Sequence, residues 1–163
     1  MYARGNSCGT DYTSTSARCV GNLLGMTGVT VSSSSIESSL HTGKQSKAFV
    51  STSSGTPLAN LIFDLGVPGV ADAIVMWHYN GPKTDPEIRG YEIRTSNALA
   101  AGGQALANPV TVATGTLVQG TVSNAGQRVN GLALQRYVQL VGTSNYGNSS
   151  SNALGAIAFV NAP

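Results

Sequence analysis

The sequence predicts an all-β protein, an antiparallel β-sandwich preceded by a loop-rich N-terminal arm, and three observations predict it. Apolar residues alternate, or form short continuous runs, through most of residues 60–160, while helical periodicity is almost absent. Gly, Asn and Pro punctuate those runs at the spacing of short strands. Charged side chains make up only 10% of the 163 residues, against roughly 25% in an ordinary globular domain. The surface must therefore be built from Ser, Thr, Asn, Gln and Gly, and the length suits one domain with one core.

Residues 1–27 read as an arm or cap, and residues 28–163 as the sandwich domain. The stretch "GVTVSSSS" (residues 28–35) is expected to begin as a strand and run into a Ser-rich loop. Residues 32–56 are too polar for core except at Ile36, Leu40, Phe49 and Val50. "NLIFDLG" (60–66) puts Leu61, Phe63 and Leu65 on one face. "ADAIVMWHYNG" (71–81) holds a continuous apolar run, as a central strand buried on both faces does. "RGYEIRTSN" alternates, with Tyr91, Ile93 and Thr95 opposite Glu92, Arg94 and Ser96. The Ala-rich segment 96–108 is broken by Gly102 and Gly103 and reads as a loop with a turn of helix. "PVTVATGTLVQGTV" (109–122) reads as one long strand, with Gly115 and Gly120 marking bulges or bends. "LQRYVQLVG" and "ALGAIAFV" complete the set, joined by a polar loop over residues 142–152.

Composition excludes several function classes. Nine basic and seven acidic residues give a net charge of +2, and the basic ones are scattered, so no stripe for nucleic-acid phosphates forms. No run reaches the roughly 20 apolar residues that span a bilayer. The N-terminal "MYARGNSCGTDYT" lacks the apolar stretch of a signal peptide. That pattern fits a removed leader, or a protein released by lysis as virus structural proteins are. Cys8 and Cys19 are the only cysteines, and a bridge between them and a pair of reduced thiols are both open. No metal and no cofactor is expected, because His41 and His78 are the only histidines and lack partners at ligand spacing.

Taken in order, "IFDLG", "AIVMWHYNG", "GYEIRTSNA", "VTVATGTL", "QRYVQLVG" and "ALGAIAFV" resemble the strands of the discoidin, or coagulation factor 5/8 type C, family. The resemblance covers roughly residues 60–160 and implies the galactose-binding-like jelly roll. It places Arg136 at a sheet edge, with Asp64 as a candidate carboxylate partner. Sugar-binding members of that family carry a D-G-x-x-x-T-x-W segment that helps hold calcium. The corresponding stretch here, "HTGKQSKAFVST", has no acid, and none occurs between Glu37 and Asp64. Calcium wants six or more oxygen ligands, several of them carboxylates, so none is expected at that place. The loops also lack paired apolar tips, so no membrane insertion is expected.

The chain is not expected to be an enzyme. It has no nucleophile elbow, phosphate loop or metal box. Asp85 and Glu87 in "KTDPEIRG" read as a solvated Pro turn, and His78 as a residue capping a core strand. Two readings remain. One is a non-enzymatic adhesion or structural subunit of a viral or other assembly (a decoration, fibre or tail protein), contacting copies of itself on a virion or extracellular surface. The other is a secreted carbohydrate-binding module. Its glycan would meet end loops carrying His41, Lys44, Lys83, Asp85, Tyr146 and Asn148. Asn148 also opens an Asn-Ser-Ser glycosylation sequon. The polar 142–152 loop serves as interface in the first reading and as ligand site in the second.

Overall fold

A computed structural model describes residues 29–30, 36–41, 48–51, 59–79, 84–120, 124–149 and 151–161. The expected arm at 1–27, with Cys8 and Cys19, lies outside them, as do Lys44 and Lys83. The described residues contain strands and no helix: β1 (Val29–Thr30), β2 (Leu40–His41), β3 (Phe49–Ser51), β4 (Ala59–Asp64), β5 (Ala73–Trp77), β6 (Gly90–Ser96), β7 (Val110–Thr116), β8 (Asn124–Ala125), β9 (Gln127–Asn130), β10 (Tyr137–Gly142), β11 (Asn152–Leu154) and β12 (Ala156–Val160). Every strand pair is antiparallel.

Four strands in the order β4-β10-β6-β7 form one sheet, and β12-β5-β9 form another. The main core lies between them. Leu61, Phe63, Ile93, Val138 and Leu140 from the first sheet meet Ile74, Met76 and Ile157 from the second, with Phe49 and Leu154 of the β3–β11 pair closing one side. Period-two alternation explains the division, since Ile74 and Met76 face this core while Ala73, Val75 and Trp77 point away. On the far side Val75, Trp77 and Ala156 pack against Val29 and Ile36, and the Trp77 indole Nε1 donates to the Ser39 carbonyl at 2.8 Å. The apolar run at β5 is thus buried on both faces, as its sequence predicts.

The outer face of the larger sheet is covered differently. Leu99 and Leu106 of the Ala-rich segment pack on Ile62 and Tyr137. That segment forms a bridged loop, Leu99 opposite Leu106, with no helical turn. Two further expectations are corrected. The long strand over 109–122 ends at Thr116, and its register shift falls opposite Ile93/Arg94 rather than at either glycine. "ALGAIAFV" is two strands in two sheets, β11 on β3 and β12 on β5, divided at Gly155.

Register fixes the two ends of the sandwich. At one end Tyr137 pairs with both Asp64 and Ser96. There Arg136 grips Asp64 through two hydrogen bonds of 2.8 Å, from Nε to Oδ1 and from Nη2 to Oδ2, with its guanidinium 4.8 Å from the Tyr137 ring centroid. At the other end the Thr143 N–H donates to the Gly90 carbonyl, and the polar 142–152 loop emerges beside β6, where the sequence places it.

Candidate functional site

The Tyr146 end is assembled from three segments. Residues 84–89 enter β6, and a parallel bridge sets Glu87 beside Ala153. Residues 143–149 cross over them: the Arg89 N–H donates to the Ser144 carbonyl at 2.8 Å and Ile88 bridges Asn145. Asn145 stiffens this loop from within, its amide donating to the carbonyls of Asn148 and Ser151 and its Oδ1 accepting from the Gly147 N–H. Residues 117–120 form a strap laid against both.

Polar side chains join these segments at the rim. Asn148 Nδ2 donates to Asp85 Oδ2 at 2.8 Å, while the Asn148 N–H reaches the Asp85 carbonyl at 3.2 Å. The Tyr146 hydroxyl donates to the Leu117 carbonyl at 2.6 Å, and the exposed Arg89 guanidinium lies 5.8 Å from the Tyr146 ring centroid. Tyr146, Asp85 and Asn148 are each half-buried, held in place yet open on one side. An aromatic face with an adjacent carboxylate and amide is the chemistry that reads an uncharged polyhydroxyl ligand: the ring takes the apolar face, and the planar groups take the hydroxyls.

Of the six residues expected in end loops, the structure brings together Asp85, Tyr146 and Asn148. Lys44 and Lys83 lie outside the described residues. His41 is corrected: it sits in β2, opposite Val29, with no exposed surface, and does not line an open loop. Arg89 was missed, because an Arg after a Pro turn carries no sequence signal that it will lie over a Tyr 57 positions later.

Glu87 is corrected as well. In place of a solvated turn, its carboxyl is 1% exposed beneath the strap. Oε2 accepts the Gly120 N–H at 2.6 Å and lies 3.8 Å from Nδ1 of His78, itself 4% exposed. Burial pushes the Glu87 carboxyl up to about 7, against the lowering effect of the Gly120 hydrogen bond. Burial also pushes His78 below its ordinary value, opposed by its contact with Gln127.

The stretch that the resemblance aligns with the calcium segment lies largely outside the described residues, and the two acids that flank it are committed elsewhere. Glu37 pairs with Arg128, and Asp64 is taken by Arg136. Among the described residues, no three of His, Cys, Asp and Glu converge on a metal position. A cleft of about 340 Å³ lies at the opposite, Arg136 end. Its walls, which include Ser96, Asn97, Asn108 and Gln135, carry neither a charge nor an aromatic ring, so it lacks the stacking face of the Tyr146 end.

No protein-family model matches the sequence, and no curated protein does. Solved structures do. The chain overlays GH31 CBM32-2 bound to GalNAc with a TM-score of 0.53 and 9% identity, over 88% of each chain. It overlays the F5/8 type C domain of a Bacteroides fragilis protein with a TM-score of 0.50 and 9% identity, over 69% of this chain and 71% of the other. A SusE-like protein gives a TM-score of 0.50 and 16% identity, over 69% of this chain and 75% of that one. Nothing among them supports a virion or self-assembling subunit. At such identities the likeness speaks for architecture: the chain has the galactose-binding-like β-sandwich fold of the discoidin, or F5/8 type C, domains.

Proposed function

We propose that the chain is a non-catalytic carbohydrate-binding module that works outside the cell and seats a glycan at the Tyr146 end of its sandwich. The observation that carries this reading is the Asp85–Asn148 hydrogen bond, which locks two loops into one rim beside the Tyr146 ring. In this reading Tyr146 offers a stacking face, Asp85 accepts and Asn148 donates to sugar hydroxyls, and Arg89 holds the ring in place. Lys44 and Lys83 are further candidates for the same ligand on the sequence alone. The binding domain spans residues 28–163, with the 1–27 arm outside it. The sugar-bound CBM32-2 module of the same fold adds support. So does the placement of the one close acid–imidazole pair among the described residues, Glu87 and His78, which is buried beneath the strap.

A glycan array probed with the full chain tests this directly, with Tyr146→Ala as the control. Wild type should retain a defined set of neutral glycans. Tyr146→Ala, folded by near-UV circular dichroism, should bind them roughly tenfold more weakly, as expected for a lost aromatic contact. Retention of no glycan, or equal retention by the variant, sinks the proposal.

A further inference from the structure

We propose that the buried His78–Glu87 pair is a proton-operated latch on residues 117–120, tightening the Tyr146 end below neutral pH and loosening it above. The ligand part of this statement rests on the reading of that end as the glycan seat. The latch itself does not.

The strap is held by five hydrogen bonds to three separate parts of the fold: the 84–89 segment, the Tyr146 loop and β9. The Leu117 N–H donates to the Arg89 carbonyl, and the Leu117 carbonyl accepts from the Tyr146 hydroxyl. The Val118 N–H donates to Gln127 Oε1 at 2.7 Å. Gln119 Nε2 donates to Thr84 Oγ1, and the Gly120 N–H donates to Glu87 Oε2. Glu87 therefore holds the far end of the segment whose near end positions Tyr146.

The proton count follows from these donors. Gln127 Oε1 accepts a backbone N–H, so that atom is the oxygen, and His78 Nε2, 2.9 Å from it, must carry a hydrogen. Neutral His78 then points the bare lone pair of Nδ1 at Glu87 Oε2 across 3.8 Å. Neither Nδ1 nor Glu87 Oε1 has a hydrogen-bond partner among the described residues. A carboxylate facing a lone pair in a dry site is repulsive, and a single added proton removes the net charge whichever group holds it. The upward displacement of Glu87 and the downward displacement of His78 favour a carboxylic acid beside a neutral imidazole.

No other described group supplies a counter-charge. On its own segment Asp85 is bonded to Asn148, and Arg89 lies outward over Tyr146. From the end of β5 come His78 and Tyr79. From β2 comes His41, whose Cε1 packs near Gly155. From β9 Arg128 is committed to Glu37 and Asn161. The 143–149 loop contributes Tyr146, and the strap has no titratable side chain. Loss of the shared proton thus leaves a net negative charge whose cheapest relief is water. The strap covers Glu87, and along it Val118 and Gln119 are exposed and Gly120 has no side chain. Water entering there loosens the segment that fixes the Tyr146 hydroxyl.

The test is amide and imidazole NMR on the full chain from about pH 5 to about pH 9, spanning the range of histidine-type switches. The Gly120 amide and the His78 ring nitrogens should shift together with a midpoint at about 7. Above it, hydrogen exchange at Val118 and Gly120 should rise by roughly tenfold beyond the intrinsic increase, as for local opening. Glu87→Gln keeps the bond to Gly120 and should abolish the transition. His78→Gln, a second variant in case the first does not fold, places an amide donor beside the carboxyl and should move the midpoint to lower pH. A Gly120 amide that is flat over this range in wild type overturns the latch, and so does a transition unmoved in both variants. A glycan retained on the array should bind several-fold more weakly above the midpoint than below it. If no glycan binds while Gly120 titrates, the ligand reading fails and the latch stands. If a glycan binds while Gly120 is silent, the reverse holds.

Discussion

Each end of this sandwich holds an acid–base pair, Asp64 with Arg136 at one and Glu87 with His78 at the other, and the two pairs behave in opposite ways. At the Arg136 end, Asp64 accepts two guanidinium hydrogen bonds and one from the Gly66 N–H, all at 2.8 Å, near solvent. The Arg136 guanidinium holds its carboxyl below the ordinary value, burial opposing. At the Tyr146 end, Glu87 has one backbone donor and a histidine too far away to bond, and burial pushes its carboxyl up to about 7. The first pair anchors β4 to the start of β10. The second leaves its end conditional on pH. Distance and burial decide which kind of element an acid–base pair becomes.

Two glycines offer the harshest way to break the comparison. At the Tyr146 end a Cβ on Gly155 would meet the His78 carbonyl oxygen at 2.1 Å, and that backbone cannot swing aside. Gly155→Ala should cost about 3 kcal/mol or more, the upper range for overpacking. At the Arg136 end a Cβ on Gly66 meets nothing within 4 Å, but its φ of +88° disfavours a side chain, so Gly66→Ala should cost about 1–2 kcal/mol. Urea unfolding of both variants checks the order. A reversal would mean that the β11–β12 junction yields more readily than its packing implies.

Next in size is the pH dependence of stability set by Glu87. Its folded value lies above the ordinary 4.5, so its contribution is full below 4.5 and is lost as pH rises through about 7. A displacement of that size corresponds to about 3 kcal/mol at most. His78 acts in the opposite sense: its folded value is depressed, so stability falls as pH drops below 6.5. Between 4.5 and 6.5 the two trends therefore oppose each other in wild type, and the net alkaline decline in the urea midpoint falls between 6.5 and about 7. Glu87→Gln should remove that decline and leave the acid-side loss. An unchanged alkaline decline in the variant would assign it elsewhere.

A smaller effect should follow Tyr146→Phe, which keeps the ring and deletes the hydroxyl bond to Leu117. Stability should fall by about 1 kcal/mol, a typical single hydrogen bond. Exchange at the strap amides should quicken while those near Arg136 stay unchanged. Equal changes at both ends would show that the strap is not a local unit.

The sequence made one end far more legible than the other. Continuous burial of β5 follows from "AIVMW", the split faces of β4 follow from Leu61 and Phe63 against Ile62, and Asp64 was already the candidate partner for Arg136. The first two are consequences of short-range periodicity, and the third is what the family resemblance implied. The Tyr146 end depends on contacts between distant segments: Gly120 on Glu87, Asn148 on Asp85, Gly155 against His78. Period-two reasoning could not bury Glu87, because what covers it is a strap 33 residues downstream rather than a neighbouring strand. It could not divide "ALGAIAFV" either, because the reason for the break is the His78 carbonyl across the fold.

The smallest expected effect belongs to the anchor that was easiest to read. Arg136 is 40% exposed and Asp64 19% exposed, so solvent and salt screen their attraction even in bidentate geometry. Because the folded value of Asp64 is depressed, the pair contributes above the ordinary carboxylate range and loses that contribution as pH falls through it. Arg136→Gln should therefore lower the urea midpoint slightly near neutral pH and not at all in acid. Molar salt should shrink the difference. Glu87→Gln responds in the opposite direction along the same axis: it gains stability relative to wild type as pH rises, and the difference resists salt because the site is closed. Measured side by side, the two variants should give opposite pH slopes and opposite salt sensitivities. Parallel slopes would mean that one global charge effect, rather than two local environments, governs both ends.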